Sequence, residues 1–129
     1  MAGVVHFEIP ADDQDRATNF YKEAFGWNIV PMPEMNYNAV TTTPTDEATG
    51  RPHEPGAING GLISREGDLT TPVITVDVAD IDATLKTVEQ LGGSVVLPKS
   101  IIPDMGSYAY FRDTEGNVMG LWENPPAGG

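Results

Sequence analysis

The chain has 129 residues, 19 acids against 7 bases, two histidines and no cysteine, giving a formal net charge of −12. That length suits one domain with one sizeable core. The charge repels nucleic-acid phosphates and anionic lipid, and the missing thiols exclude disulfides, thiolate catalysis and zinc–thiolate sites.

No segment approaches the roughly 18 apolar residues of a membrane span. The opening residues MAGVVHFEIP lack a basic stretch before an apolar run, so no signal peptide is expected and a cytoplasmic location is. The bases lie scattered from Arg16 to Arg112 and form no basic patch. The acids read as a solubilising surface or as an adaptation to high salt, the chain having only three lysines.

Val4 to Ile9 are β-branched and aromatic and predict a strand, ended by Pro10. Asp12 or Asp13 caps a helix, with Asp15 favoured in its first turn. Ala17, Phe20, Tyr21, Ala24 and Phe25 recur at helical spacing and predict its buried stripe. Gly26 stops the helix. A second strand starts at Trp27 and is broken by Pro31 and Pro33, and a third is expected over residues 36–43. Residues 44–56 (PTDEATGRPHEPG) are a loop, either a lid or a plain surface segment. Residues 57–64 predict a fourth strand, weakened by Gly60 and Gly61.

The order then repeats. Residues 72–78 predict a strand, and Asp80 caps a helix with the stripe Ile81, Leu85, Val88 and Leu91, stopped at Gly92–Gly93. Strands follow over 94–101, 107–112 and 117–123, with Asp113 to Gly116 as a tight turn and 125–129 as a fraying tail. Adding 67 to a position in the first stretch brings the two into register: Phe7 meets Ile74, Asp13 meets Asp80, Gly26 meets Gly93 and Pro31 meets Pro98. A repeat this long is a half-domain rather than a solenoid unit. The expected fold is therefore α+β. Two tandem βαβββ modules, about 1–65 and 71–124, make a single domain over 1–129. They form an open, barrel-like sheet of eight strands with the helices outside and a pocket within.

Several segments carry a family resemblance. They are His6, the pair Phe20–Tyr21 before Phe25–Gly26–Trp27, Ile58 to Leu62 (INGGL), and Tyr110 to Asn117 (YFRDTEGN) before Gly120 to Glu123 (GLWE). With these the chain resembles the vicinal oxygen chelate superfamily, which includes glyoxalase I, bleomycin-resistance proteins and extradiol dioxygenases. Thr114 and Glu115 stand where the family's usual turn has Pro and Asp. The resemblance implies the paired-module fold and a homodimer. It leaves activity open, because the fold hosts lyases, epimerases, dioxygenases and non-catalytic binders.

Metal-dependent members place His, Glu or Gln on the first and last strands of each module, because several donors must converge to hold a hard ion against water. The resemblance puts those four positions at His6, Gly61, Val73 and Gly120. One of the four can coordinate through a side chain, so no cofactor is expected. A displaced divalent-metal site using His6 and Glu8, with Asp77 or Glu123 as remote ligands, is the alternative, and His53 in the long loop reads as solvated.

His6 and Glu8 alternate onto one strand face and, with Thr75 on the matching strand, are candidates for acid–base chemistry. Tyr108, Tyr110 and Trp122 should share the inner face with Gly120, while Phe111 turns to the core. They either line a site or fill the interior. Glycines at 60, 61 and 120 leave room for a small molecule. The expected ligand-binding set is His6, Glu8, Thr75, Tyr108, Tyr110 and Trp122. Two functions follow as expectations. One is metal-free binding of an aromatic or otherwise flat small molecule. The other is a lyase, isomerase or dioxygenase-type enzyme with an atypical metal site that includes His6 and Glu8.

Overall fold

A computed structural model describes residues 2–46 and 52–126. The chain is α+β, with the order β1 (Val4–Ala11), α1 (Gln14–Phe25), β2 (Asn28–Met32), β3 (Tyr37–Thr41), β4 (Asn59–Ser64), β5 (Val73–Asp77), α2 (Ile81–Gln90), β6 (Ser94–Ile102), β7 (Gly106–Arg112) and β8 (Val118–Glu123). A single 3₁₀ turn, Pro33–Met35, joins β2 to β3. This is βαβββ written twice, as the repeat predicts.

The chain divides into two compact units. One is His6–Pro72, and the other runs from Val73 onward and includes the residues before His6. Strand order is β2-β3-β4-β1 in the first and β5-β8-β7-β6 in the second, eight strands in all. Each unit is mixed: β1 runs parallel to β4 and β5 parallel to β8, and the remaining pairs are antiparallel. The start of β1 belongs with the second unit, where the Gly3 carbonyl accepts from the Asp77 amide at 2.9 Å.

The repeat is carried in the hydrogen-bond register itself. Glu8 pairs with Gly61 and Ile9 with Leu62 in the first module, and Thr75 pairs with Gly120 and Val76 with Leu121 in the second. Glu8 and Thr75, and Ile9 and Val76, which match by the sequence offset, thus hold the same place in each ladder.

Each helix covers one face of its own module. In the first, Ile29, Val40 and Leu62 are buried, and Phe7, Ile9, Ala17, Tyr21 and Trp27 pack against them. In the second, Ile81, Leu85, Ala109 and Leu121 form the core, with Val76, Val78, Val95 and Phe111 around it. Phe111 therefore turns to the core, as its alternation with Tyr110 requires. The helix starts follow the sequence signals: Asp13 accepts from the Arg16 amide at 3.0 Å and Asp80 from the Ala83 amide at 3.1 Å. Gly26 closes α1 at φ 72°, a left-handed conformation that suits glycine.

The α1 stripe needs correction. Phe20 and Phe25 are 60% and 61% exposed, and Ala24 is exposed as well. The sheet receives Ala17 and Tyr21 instead. Tyr21 stacks on Trp27, with ring centroids 5.2 Å apart and planes 9° apart, and Phe20 and Phe25 pack on the outer side of Tyr21. Rings satisfied by other rings need not reach the sheet. Leu91 is likewise exposed, because α2 has already ended at Gln90. Pro31 does not break β2 but lies within it, and β2 ends the strand order of its unit, a place where a missing N–H is tolerated. In the loop over 44–56, residues 47–51 lie outside the described residues. Its two ends meet through a bridge between Thr45 and Pro52, and the His53 amide donates to the Pro44 carbonyl at 2.7 Å. Among the described residues, no helix is long and apolar enough to cross a membrane.

Candidate functional site

The face of each sheet turned away from its helix carries the expected site residues. In the first module, His6 and Glu8 alternate onto that face with Gly61, Ala39 and Tyr37. Glu8 is 8% exposed. The His6 Nε2 and the Tyr37 hydroxyl lie 2.8 Å apart, and the imidazole tautomer decides which of them donates. Burial holds the His6 pKa below its ordinary value, so the ring is neutral at neutral pH. Burial, and then the negative charge of Glu8, raise the Tyr37 pKa far above that of a free phenol, so the hydroxyl keeps its proton. The cluster is thus a neutral imidazole, a neutral phenol and a buried acid, drawn together from β1 and β3.

Tyr37 also occupies the space over Gly61. A Cβ built on Gly61 would collide with the end of the Tyr37 ring and with its hydroxyl. A side chain at position 61 and the phenol in its present rotamer exclude one another. Tyr37 was not among the residues expected here, although a signal existed: alternation in β3 places Tyr37 and Ala39 on one face, and Ala39 pairs with Gly61. A large residue beside a glycine on a neighbouring strand is the pattern of a ring filling a vacant place.

The second module holds the matching positions with different chemistry. Val73, the counterpart of His6, is fully buried, and Thr75, the counterpart of Glu8, is 6% exposed. A Cβ at Gly120 would meet the Thr75 hydroxyl at 2.5 Å. Register sets Thr75, Gly120 and Tyr110 in one cross-strand row and Asp77, Trp122 and Tyr108 in the next. Tyr108 and Tyr110 meet edge to face with centroids 5.9 Å apart. The Trp122 ring lies against Gly106, where a Cβ would meet it at 2.5 Å, and its Nε1 donates to Asn124 at 3.0 Å. Thr75, Tyr108, Tyr110 and Trp122 therefore share one face, as expected.

Of the remote candidates, Asp77 shares the row of Trp122 and Tyr108, while Glu123 and His53 join neither cluster. Glu123 lies on the helix side. Its Oε1 accepts from the Ile81 amide at 2.8 Å and its Oε2 from Lys99 at 3.0 Å, so it caps α2. Asp77 ends β5 and His53 is exposed. Among the described residues, no three of His, Cys, Asp and Glu stand close enough to hold a metal ion.

Paired βαβββ modules, together with the relatives described next, indicate the vicinal oxygen chelate superfamily. The family model described as bleomycin resistance protein-like N-terminal matches residues 4–43. The glyoxylase-named protein CFP32 of Mycobacterium tuberculosis is 32% identical over 120 residues, covering 90% of this chain but 43% of that protein. The chain thus spans less than half the length of that relative. A glyoxylase-like domain-containing protein of Didymella fabae is 29% identical over 128 residues, with 92% of this chain and 91% of that one covered. Among solved structures, methylmalonyl-CoA epimerase of Mycobacterium tuberculosis superposes with a TM-score of 0.64 at 17% identity, covering 96% of this chain and 89% of the epimerase. That likeness establishes the fold alone.

Proposed function

We propose that the chain is a small-molecule binding protein of the glyoxalase and bleomycin-resistance type that holds an aromatic or otherwise flat ligand without a resident metal. The observation that carries this reading is the helix-free face of the second module. There Tyr108, Tyr110 and Trp122 surround the row of Thr75 and Gly120, an arrangement with ring surface for stacking and a buried hydroxyl for orientation. Two of the four positions at which the resemblance expects metal donors are glycines, and one is valine. Screening a library of planar heterocycles and polyphenols by melting shift tests the proposal. Hits are expected to weaken at least tenfold on Trp122→Ala. A screen without hits, or hits indifferent to Trp122, Tyr108 and Tyr110, would reject it.

A second reading, an enzyme with an atypical metal site including His6 and Glu8, draws on one observation. Glu8 is a buried acid beside a neutral imidazole on one face, a pairing suited to moving a proton. Turnover of the methylglyoxal–glutathione hemithioacetal or of methylmalonyl-CoA, lost on Glu8→Gln, would establish it; none is expected.

A further inference from the structure

We infer that Tyr37 has taken the place of the metal ion in the first module, so that its face offers a ligand a phenol–imidazole pair instead of a Lewis acid. This inference rests on the reading of the chain as a small-molecule binder, taken to the face of the first module. Three observations support it. The Nε2 of His6 is already engaged by the Tyr37 hydroxyl at 2.8 Å, and so is not free as a donor to an ion. The space in which a donor at position 61 would lie is filled by the same ring. Glu8, whose Cα pairs directly with that of Gly61, is buried and close enough for its charge to act on the phenol.

The substitution changes what the face can recognise. A divalent ion attracts adjacent anionic oxygens and supports an enediolate. With the His6 Nε2 and the Tyr37 hydroxyl bonded to each other, the pair keeps one donor for an uncharged oxygen, the phenol O–H in the tautomer whose Nε2–H donates, and the negative charge of Glu8 repels a carboxylate or phosphate brought beside it. The ligand group that fits is an uncharged carbonyl or hydroxyl on a ring, such as a quinone or phenol. A chelating dicarboxylate does not fit. The second module carries no counterpart to this trio, since Val73 and Thr75 stand where His6 and Glu8 do.

The test uses the metal alone, so its outcome does not depend on finding an organic ligand. Ni²⁺, Mn²⁺ and Zn²⁺ are titrated calorimetrically into the wild-type chain, Tyr37→Ala, and the double variant Tyr37→Ala/Gly61→Glu, with far-ultraviolet dichroism and melting to check folding. The wild type is expected to bind no stoichiometric ion. The double variant, in which His6, Glu8 and the new carboxylate can converge, is expected to bind one equivalent at least a hundredfold more tightly, with binding lost when His6→Ala is added. Tyr37→Ala should fall between them, and it keeps the test decisive if the double variant fails to fold. One equivalent of metal on the wild type, released by His6→Ala, would overturn the inference. So would folded variants that bind metal no better than wild type, because Tyr37 would then not be what keeps an ion out. A failed ligand screen alongside the expected titrations would reject the binding function and leave this inference standing.

Discussion

At the scale of single residues, the first module is governed by what fits beside its glycines. Gly60 faces the helix side, where a Cβ would strike the Phe7 carbonyl oxygen and lie 2.6 Å from the Phe7 ring. The carbonyl belongs to the parallel partner strand and cannot move without breaking the β1–β4 ladder. Gly60→Ala is therefore expected to cost about 2 kcal/mol, in the range of core overpacking, measured by urea unfolding. Gly61 is different, because there the obstacle is the far end of a tyrosine side chain. His6 adds a pH dependence whose sign follows from its burial. Its folded pKa lies below the ordinary 6.5, so the unfolded chain binds the proton more readily. The stability held by the neutral ring is complete above pH 6.5 and drains away as pH falls from there toward the folded value. His6→Gln should flatten the fall in melting temperature as the pH drops below 6.5, the side on which that shift acts. A variant with the same slope as wild type on that side would assign the effect elsewhere. Sequence reasoning found His6 and Glu8 because the resemblance and the strand alternation both point at β1. It missed Tyr37 because β3 carries none of the family's donor positions, and a side chain leaning over a glycine from the next strand is a packing fact rather than a spacing.

At the scale of elements, the caps and stops were legible and the helix faces only partly so. Asp13, Asp80 and Gly26 work through backbone geometry within a few residues, which a sequence displays directly. Which aromatics of α1 reach the sheet depends on ring–ring stacking, and period alone cannot rank Tyr21 above Phe20 and Phe25. The cap of α2 has a long-range part as well. Glu123, 42 residues beyond Ile81, accepts its amide, an arrangement invisible before β8 is placed beside the start of α2. The Ile81 amide first, and then Lys99, hold the Glu123 carboxyl below its ordinary pKa. Its contribution is present above pH 4.5 and is lost as pH falls below that toward the folded value. Glu123→Ala should destabilise the chain at pH 7 by about 1 kcal/mol, the usual cost of a lost helix cap. The gap from wild type should close as the pH approaches 3, as followed by thermal melting across that range. A gap that persists in acid would mean that Glu123 matters for packing rather than for charge.

At the scale of the whole molecule, duplication has preserved the ladders while the chemistry of the two copies has separated. Glu8–Gly61 and Thr75–Gly120 are the same rung, yet one copy keeps titratable groups and the other a row of rings. The helix-side residues are the part held in common: Leu62 and Leu121 occupy matching places and are both almost fully buried. The opposite faces differ: His6 and Glu8 stand where Val73 and Thr75 do. The surface is under a different constraint. Among the described residues Asp12 pairs with Arg65 and Glu123 with Lys99, but over the whole chain the acids outnumber the bases 19 to 7. The Asp12–Arg65 pair is largely exposed and contributes little. Most acids therefore repel one another through solvent, a cost paid by the compact state and relieved on unfolding. Raising the ionic strength from about 0.01 M to about 0.15 M shortens the screening length from about 30 Å to about 8 Å, less than the span of a module. The melting temperature is expected to climb over that interval in sodium chloride and to flatten beyond it. A variant in which Asp15, Glu23 and Glu89, all exposed on the helices, become Gln should start higher and climb less. Melting that ignores salt in both proteins would show that the acids lie too far apart to strain the fold, leaving solubility as their remaining physical effect.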